Sequence, residues 1–186
     1  MKKPIYYTPI QLQTLVERGV VLPDSEAVHI ATDVVLERIS ATATLHPGTR
    51  ISGVKTTIGA QVEIGLCGPA TLEDAEVGDG AVVGSLGPVT LCRTTVGPHS
   101  DLGSGVAEDC VFLGKETQLN DFTTGYGFRV RKGSLYEEDA STAQHTDTKM
   151  TILFPWVTLG SNSNLCDLLI SGGNGPELGH FTEVGS

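Results

Sequence analysis

The chain repeats an aliphatic–glycine pair at close to six-residue spacing, and that rhythm limits what it can fold into more than any other feature. Ile58-Gly59, Ile64-Gly65, Val77-Gly78, Val83-Gly84, Val96-Gly97 and Leu102-Gly103 carry it. Ile39, Leu45 and Ile51 extend it without the glycine. Leu113 to Leu119 and Leu159 to Leu165 continue it further along. Four residues after the aliphatic position the side chain is small or β-branched, as at Ala43, Thr49, Val62 and Ala81. An α-helix needs a period of about 3.6, which this region lacks. In a short strand, residues i, i+2 and i+4 share a face. A chain that turns a corner every six residues closes a three-sided coil of about 18 residues, and successive coils stack about 4.8 Å apart. The large aliphatic fills the coil, and the small residue sits near a corner.

This pattern resembles the hexapeptide-repeat superfamily. The resemblance implies an all-β fold, a left-handed parallel β-helix, with a short N-terminal helical cap and one large loop insertion. The handedness comes from the resemblance alone, because parallel crossovers in general favour the right-handed form. The expected organisation is a cap over residues 1–38, coils over 39–119, an inserted loop or hairpin over 120–156, and further coils over 157–186. "YTPIQLQTLVERG" reads as a helix over about 9–18, with Thr8 as cap, Pro9 in the first turn, Gln11 at the capping-box position and Gly19 as stop. Ile10, Leu15 and Val16 are its expected inward residues. "LGHFTEVGS" breaks off in mid-rhythm, so the chain reads as the N-terminal part of a longer protein.

Composition narrows the function. The net charge is −10, which argues against a nucleic-acid or anionic-membrane surface. No apolar run is long enough for a signal peptide or a membrane span. Cys67, Cys92, Cys110 and Cys166 form no CxxC pair and read as free thiols of a reducing, cytoplasmic setting. "LGKET" is not a P-loop, because Glu116 stands where a magnesium-holding hydroxyl is needed. The histidines are too widely spaced for a three-His zinc site, and no metal is expected.

The expected insertion carries Arg129, Arg131, Lys132 and Lys149, four of the twelve basic residues. The segment "HTDTKMTILFPWVTLGSNSNL" is similar to the acetyltransferase domains of bifunctional UDP-N-acetylglucosamine pyrophosphorylases. In those domains a Lys–x–Thr segment leads into Ile-Gly-Ser-Asn. Lys149, Thr151 and Gly160-Ser161-Asn162 follow that layout, and "LGHFTEVGS" resembles their Leu-Gly-Asp-Ala-Glu-Val-Gly segment, with His180 in place of the acid. The order of the two segments departs from theirs, and the nucleotidyltransferase signature of the other half is absent.

The resemblance implies acyl transfer from acyl-CoA, as co-substrate, to a sugar or nucleotide-sugar hydroxyl or amine, in a homotrimer with sites between prisms. A histidine near a corner or loop would act as base, since imidazole titrates near neutrality. His145 and His180 are the leading candidates, ahead of His99 and His46. Arg129, Arg131, Lys132, Lys149 and Asn162 are the candidate substrate contacts, the arginines and Lys132 for a phosphate. The alternative is a non-catalytic β-helix, an oligomerisation or scaffold domain of a longer sugar-nucleotide protein.

Overall fold

The computed structural model describes residues 4–116, 122–173 and the backbone of 180–182. The helix α1 spans Pro9–Arg18. Its N-terminal amides are satisfied by a capping box: the Gln11 N–H donates to Thr8 Oγ1 at 3.3 Å, and the Thr8 N–H donates to Gln11 Oε1 at 2.9 Å. Gly19 ends it in the left-handed region at φ 111°, where its N–H reaches the last carbonyls. The buried residues are Leu12 and Leu15, one turn apart, which join the cluster that fills the first coils. Ile10 and Val16, expected inside, are exposed. The helix offers one narrow stripe to the coil end, and residues i and i+3 suffice to cover it.

The rest of the chain is an all-β parallel solenoid, the architecture of a left-handed parallel β-helix. Its three faces are called A, B and C here in the order the chain visits them. Face A stacks the core residues Ile30, Ile51, Leu72, Leu91, Ala107, Val130, Thr148 and Leu165 through parallel pairing. Face B stacks Ile39, Ile58, Val77, Val96, Phe112, Tyr136, Leu153 and Ile170. Face C stacks Leu45, Ile64, Val83, Leu102, Thr124, Thr142 and Leu159, with Thr182 paired to Leu159 by its backbone. Each core residue therefore sits on another one coil away, and nearly all of them are fully buried.

The coils continue through the stretch where an inserted loop is expected. Thr124–Arg131, Leu135–Tyr136, Ser141–Thr142, Asp147–Lys149 and Ile152–Leu153 all pair in parallel with coils on either side. The aliphatic ladder fades there because the core changes composition and the coil does not end. Phe112 and Tyr136 stack edge-to-face on face B, with centroids 5.0 Å apart, and fill the prism from one side. The facing positions shrink or become polar accordingly: Ala107, Thr142 and Thr148. The added length lies at the corner from B to C. Twelve residues separate the core positions Phe112 and Thr124, where six is usual, and residues 117–121 of that span lie outside the described set.

Candidate functional site

The corner from face C to face A carries the first part of the site. The strand Thr124–Arg131 runs round this corner without a break, helped by a register shift against Ser104 and Gly105 in the coil before it. It leaves Tyr126 about half exposed. One coil on, the His145 N–H donates to the Tyr126 carbonyl at 2.8 Å, and in the next coil the Asn162 N–H donates to the Gln144 carbonyl at 2.9 Å. His145 (φ 54°) and Asn162 (φ 60°) are both left-handed. A hexapeptide coil needs that conformation at its corners, and Asn and His adopt it more readily than β-branched residues do. Both side chains are exposed. The His145 ring meets Tyr126 edge-on, with centroids 5.6 Å apart. It lies over Gly127, where an added Cβ would stand 2.7 Å from His145 Nδ1.

The second part lies on the adjoining outer surface of face A. Side chains alternate in and out along a strand. Arg129 and Arg131 therefore flank buried Val130, and Asp147 and Lys149 flank buried Thr148 on the next strand. The register sets Arg129 beside Asp147 and Arg131 beside Lys149. The Arg129 N–H donates to the carbonyl of Thr146, the neighbour of His145, at 2.8 Å. The corner and the basic strip are thus continuous. Arg131 donates from Nε to Asp147 Oδ1 at 2.7 Å, in a pair that is about a third exposed. Arg129 and Lys149 make no ion pair among the described residues. Arg129, Arg131 and Lys149 gather around the Asp147 carboxylate as a local basic group on a chain whose net charge is −10.

The structure therefore brings His145, Asn162, Arg129, Arg131 and Lys149 to one corner and its adjoining face. Lys132 stands at the far edge of face A, where its charge helps to lower the Asp109 pKa. His180 pairs through its backbone with Val157 on face C, and its side chain lies outside the described residues. His99 occupies the B-to-C corner, and His46 lies 3.9 Å from Glu63 on face C, so neither belongs to this group. Sequence reasoning missed Tyr126 and Gly127, and it gave Asp147, within the candidate stretch "QHTDTK", no role of its own. The signal for Tyr126 and Gly127 was "TGYGF", a Gly–aromatic alternation unlike the aliphatic rhythm, and it was absorbed into the expected loop.

A concave place of about 320 Å³ lies apart from this group, at the A-to-B corner among Lys55, Asp74, Glu76, Arg93 and Asp109. Arg93 is consumed internally. It donates to both carboxylate oxygens of Asp109 at 2.6 and 2.9 Å, and to Glu108 at 2.7 Å. This pairing raises the Arg93 pKa and holds the Asp109 carboxyl below its usual range. Among the described residues no three His, Cys, Asp or Glu side chains converge to hold a metal ion, and no helix is long and apolar enough to cross a membrane.

The arrangement at the C-to-A corner offers anion recognition by Arg129, Arg131 and Lys149, an exposed imidazole, and an amide side chain one coil above it. No known protein-family model matches the chain and no curated protein matches it, while its parallel β-solenoid is consistent with a hexapeptide-repeat β-helix.

Proposed function

We propose that the chain is an acyltransferase-like hexapeptide-repeat protein that works on a phosphate-bearing small molecule at the C-to-A corner. Arg129, Arg131 and Lys149 hold the phosphate of an acyl-CoA or of a nucleotide-sugar acceptor. Lys132 adds long-range attraction from the edge of the patch. His145 accepts the proton of the acceptor hydroxyl or amine as that group attacks the thioester carbonyl. Collapse of the intermediate breaks the C–S bond, and the proton passes to the leaving thiolate. Asn162 supplies an amide N–H near the developing oxyanion. The observation that carries this reading is the stacking of His145 and Asn162 on consecutive coils, beside Arg129 and Lys149, which make no ion pair among the described residues.

The test combines binding with turnover. Acyl-CoA and UDP-sugars are each titrated calorimetrically, and thiol release is followed with a chromogenic thiol reagent. An Arg129→Ala/Lys149→Ala variant is expected to bind at least tenfold more weakly. His145→Ala is expected to keep binding and to lose turnover at least 100-fold. Absence of any binding by the wild type, or unchanged turnover in a His145→Ala/His180→Ala variant, removes the acyltransferase reading.

A non-catalytic scaffold domain is the second reading. It is favoured by one feature of His145: its ring contact is the edge of Tyr126, with no carboxylate among the described residues to orient it as a base. This reading expects no thermal stabilisation by any acyl-CoA or UDP-sugar.

A further inference from the structure

The cleft of about 320 Å³ at the A-to-B corner takes no part in the chemistry of the C-to-A corner. Its lining comes from four successive coils: Lys55, then Asp74 and Glu76, then Arg93 and Thr95, then Asp109. Asp74 (φ 48°), Arg93 (φ 49°) and Asp109 (φ 48°) turn this corner in the left-handed region, where Gly53 turns it one coil earlier. The corner keeps charged side chains at positions where glycine is the unstrained choice. Arg93 directs its ion pairs to the coil after it, to Asp109 and Glu108. The carboxylates of the coil before it are left over. Asp74 is fixed in place, because its Oδ1 accepts the Lys55 backbone N–H at 3.1 Å and it lies over Gly53, where an added Cβ would collide with it. Among the described residues Lys55, Asp74 and Glu76 make no ion pair. Lys55 and Glu76 are exposed, and Thr95 is half-buried.

We infer that this cleft binds a small zwitterion, a free α-amino acid, with its carboxylate on Lys55 and its ammonium on Asp74 and Glu76. Arg93 and Asp109 neutralise each other, so the cleft offers a guest one ammonium and two carboxylates. A simple cation is drawn to the carboxylates but repelled by Lys55. A simple anion is drawn to Lys55 but repelled by the carboxylates. A guest that carries both charges side by side pairs with both walls, through charge-assisted hydrogen bonds. Size points the same way. The volume lies at the low end of the range for ligand sites, which suits a molecule of a few heavy atoms. The bidentate Arg93–Asp109 pair closes the far end of the cleft with a fixed wall. A short side chain on the guest lies toward Thr95. The inference does not depend on any catalytic reading of the C-to-A corner.

Amide chemical shifts of the full chain, labelled with nitrogen-15, test it. Glycine and L-alanine are titrated to about 50 mM, since a few partly exposed charge pairs give millimolar affinity. Saturable shifts are expected at Lys55, Glu76 and Thr95 and not at His145. Methylamine and acetate each carry one of the two charges, and both are expected to bind at least tenfold more weakly. Lys55→Met and Glu76→Gln change exposed side chains outside the core. Each is expected to keep the wild-type melt and to weaken glycine binding at least tenfold. The two single-charge probes decide the matter even if a variant does not fold. Absence of saturable shifts with either amino acid overturns the inference. So does methylamine or acetate binding as tightly as glycine, which marks a plain ion site, and so do folded variants that bind as the wild type does.

Discussion

Tyr136 shows how one residue can change the rules of a repeat. Its ring is fully buried, and its hydroxyl lies 2.9 Å from Thr148 Oγ1 across the prism. Burial pushes its pKa up. The nearby Cys110 thiol, raised chiefly by desolvation, is pushed up to about 12 from 9.0. Both groups hold their protons more tightly in the folded state than in the unfolded one. The stability they contribute is complete below the unfolded values, near 9 and 10, and is lost as pH rises through the folded ones. The urea midpoint is therefore expected to fall from pH 9 upward, and Cys110→Ala is expected to flatten part of that fall. At pH 10 the Cys110 share is about 1 kcal/mol. Tyr136→Phe is expected to cost about 1–2 kcal/mol at pH 7, because it strands the Thr148 hydroxyl in the core. Arg93 gives the opposite sign. It lowers the Asp109 pKa, so its help is present above the usual carboxylate range and is lost as pH falls through the depressed value. In Arg93→Met, the Asp109 carboxyl is expected to titrate higher, read from its carbon-13 shift.

The corner strand Thr124–Arg131 is the element on which the site depends. It turns from face C to face A within a single strand, and Gly105 in the coil before it makes this possible. Gly105 holds φ 154°, and an added Cβ would collide with the Phe128 carbonyl. Gly127 plays the matching role for the site, since at φ 73° it leaves room for the His145 ring. Gly127→Ala is expected to displace that ring and shift its NMR resonances, with a modest loss of stability from the left-handed backbone. Should the ring resonances stay fixed, the close approach at Gly127 would not hold His145 in place. The helix α1 is a separate element with its own test. Thr8→Ala removes one half of the capping box and is expected to cost about 1 kcal/mol, seen first as faster hydrogen exchange in the first turn of α1.

At the scale of the molecule, the prism sorts its chemistry by face. Charge gathers on face A and at the corner beyond it, and apolar residues gather on the late half of face B. Phosphate binding at face A is expected to weaken steeply with salt, read by calorimetric titration at low and high ionic strength. Cys110 is enclosed in the core, while Cys67 is exposed at the surface. A maleimide is expected to label Cys67 quickly in the native protein and Cys110 only after unfolding. Early labelling of Cys110 would show that the late coils open locally.

The sequence by itself determined the coil. A six-residue alternation of large and small residues has few solutions other than stacked short strands, so the faces, the parallel pairing and the helical cap were legible before any coordinates. Thr8, Pro9, Gln11 and Gly19 announced the helix because capping is local chemistry. The continuation through 124–153 was not legible, since a core position is recognised in sequence by being aliphatic. Thr124, Thr142, Thr148 and Tyr136 are core only because Phe112 and Tyr136 fill the space that Leu or Ile fills elsewhere, a compensation across coils. The basic residues were grouped as substrate contacts from sequence, but the side-by-side placement of particular pairs was not legible. Only the register, which sets Arg129 beside Asp147 and His145 above Tyr126, decides that they share a corner. The coil length that fixes this register varies from 16 residues, Val96 to Phe112, to 24, Phe112 to Tyr136. That length depends on how each turn packs on the one below.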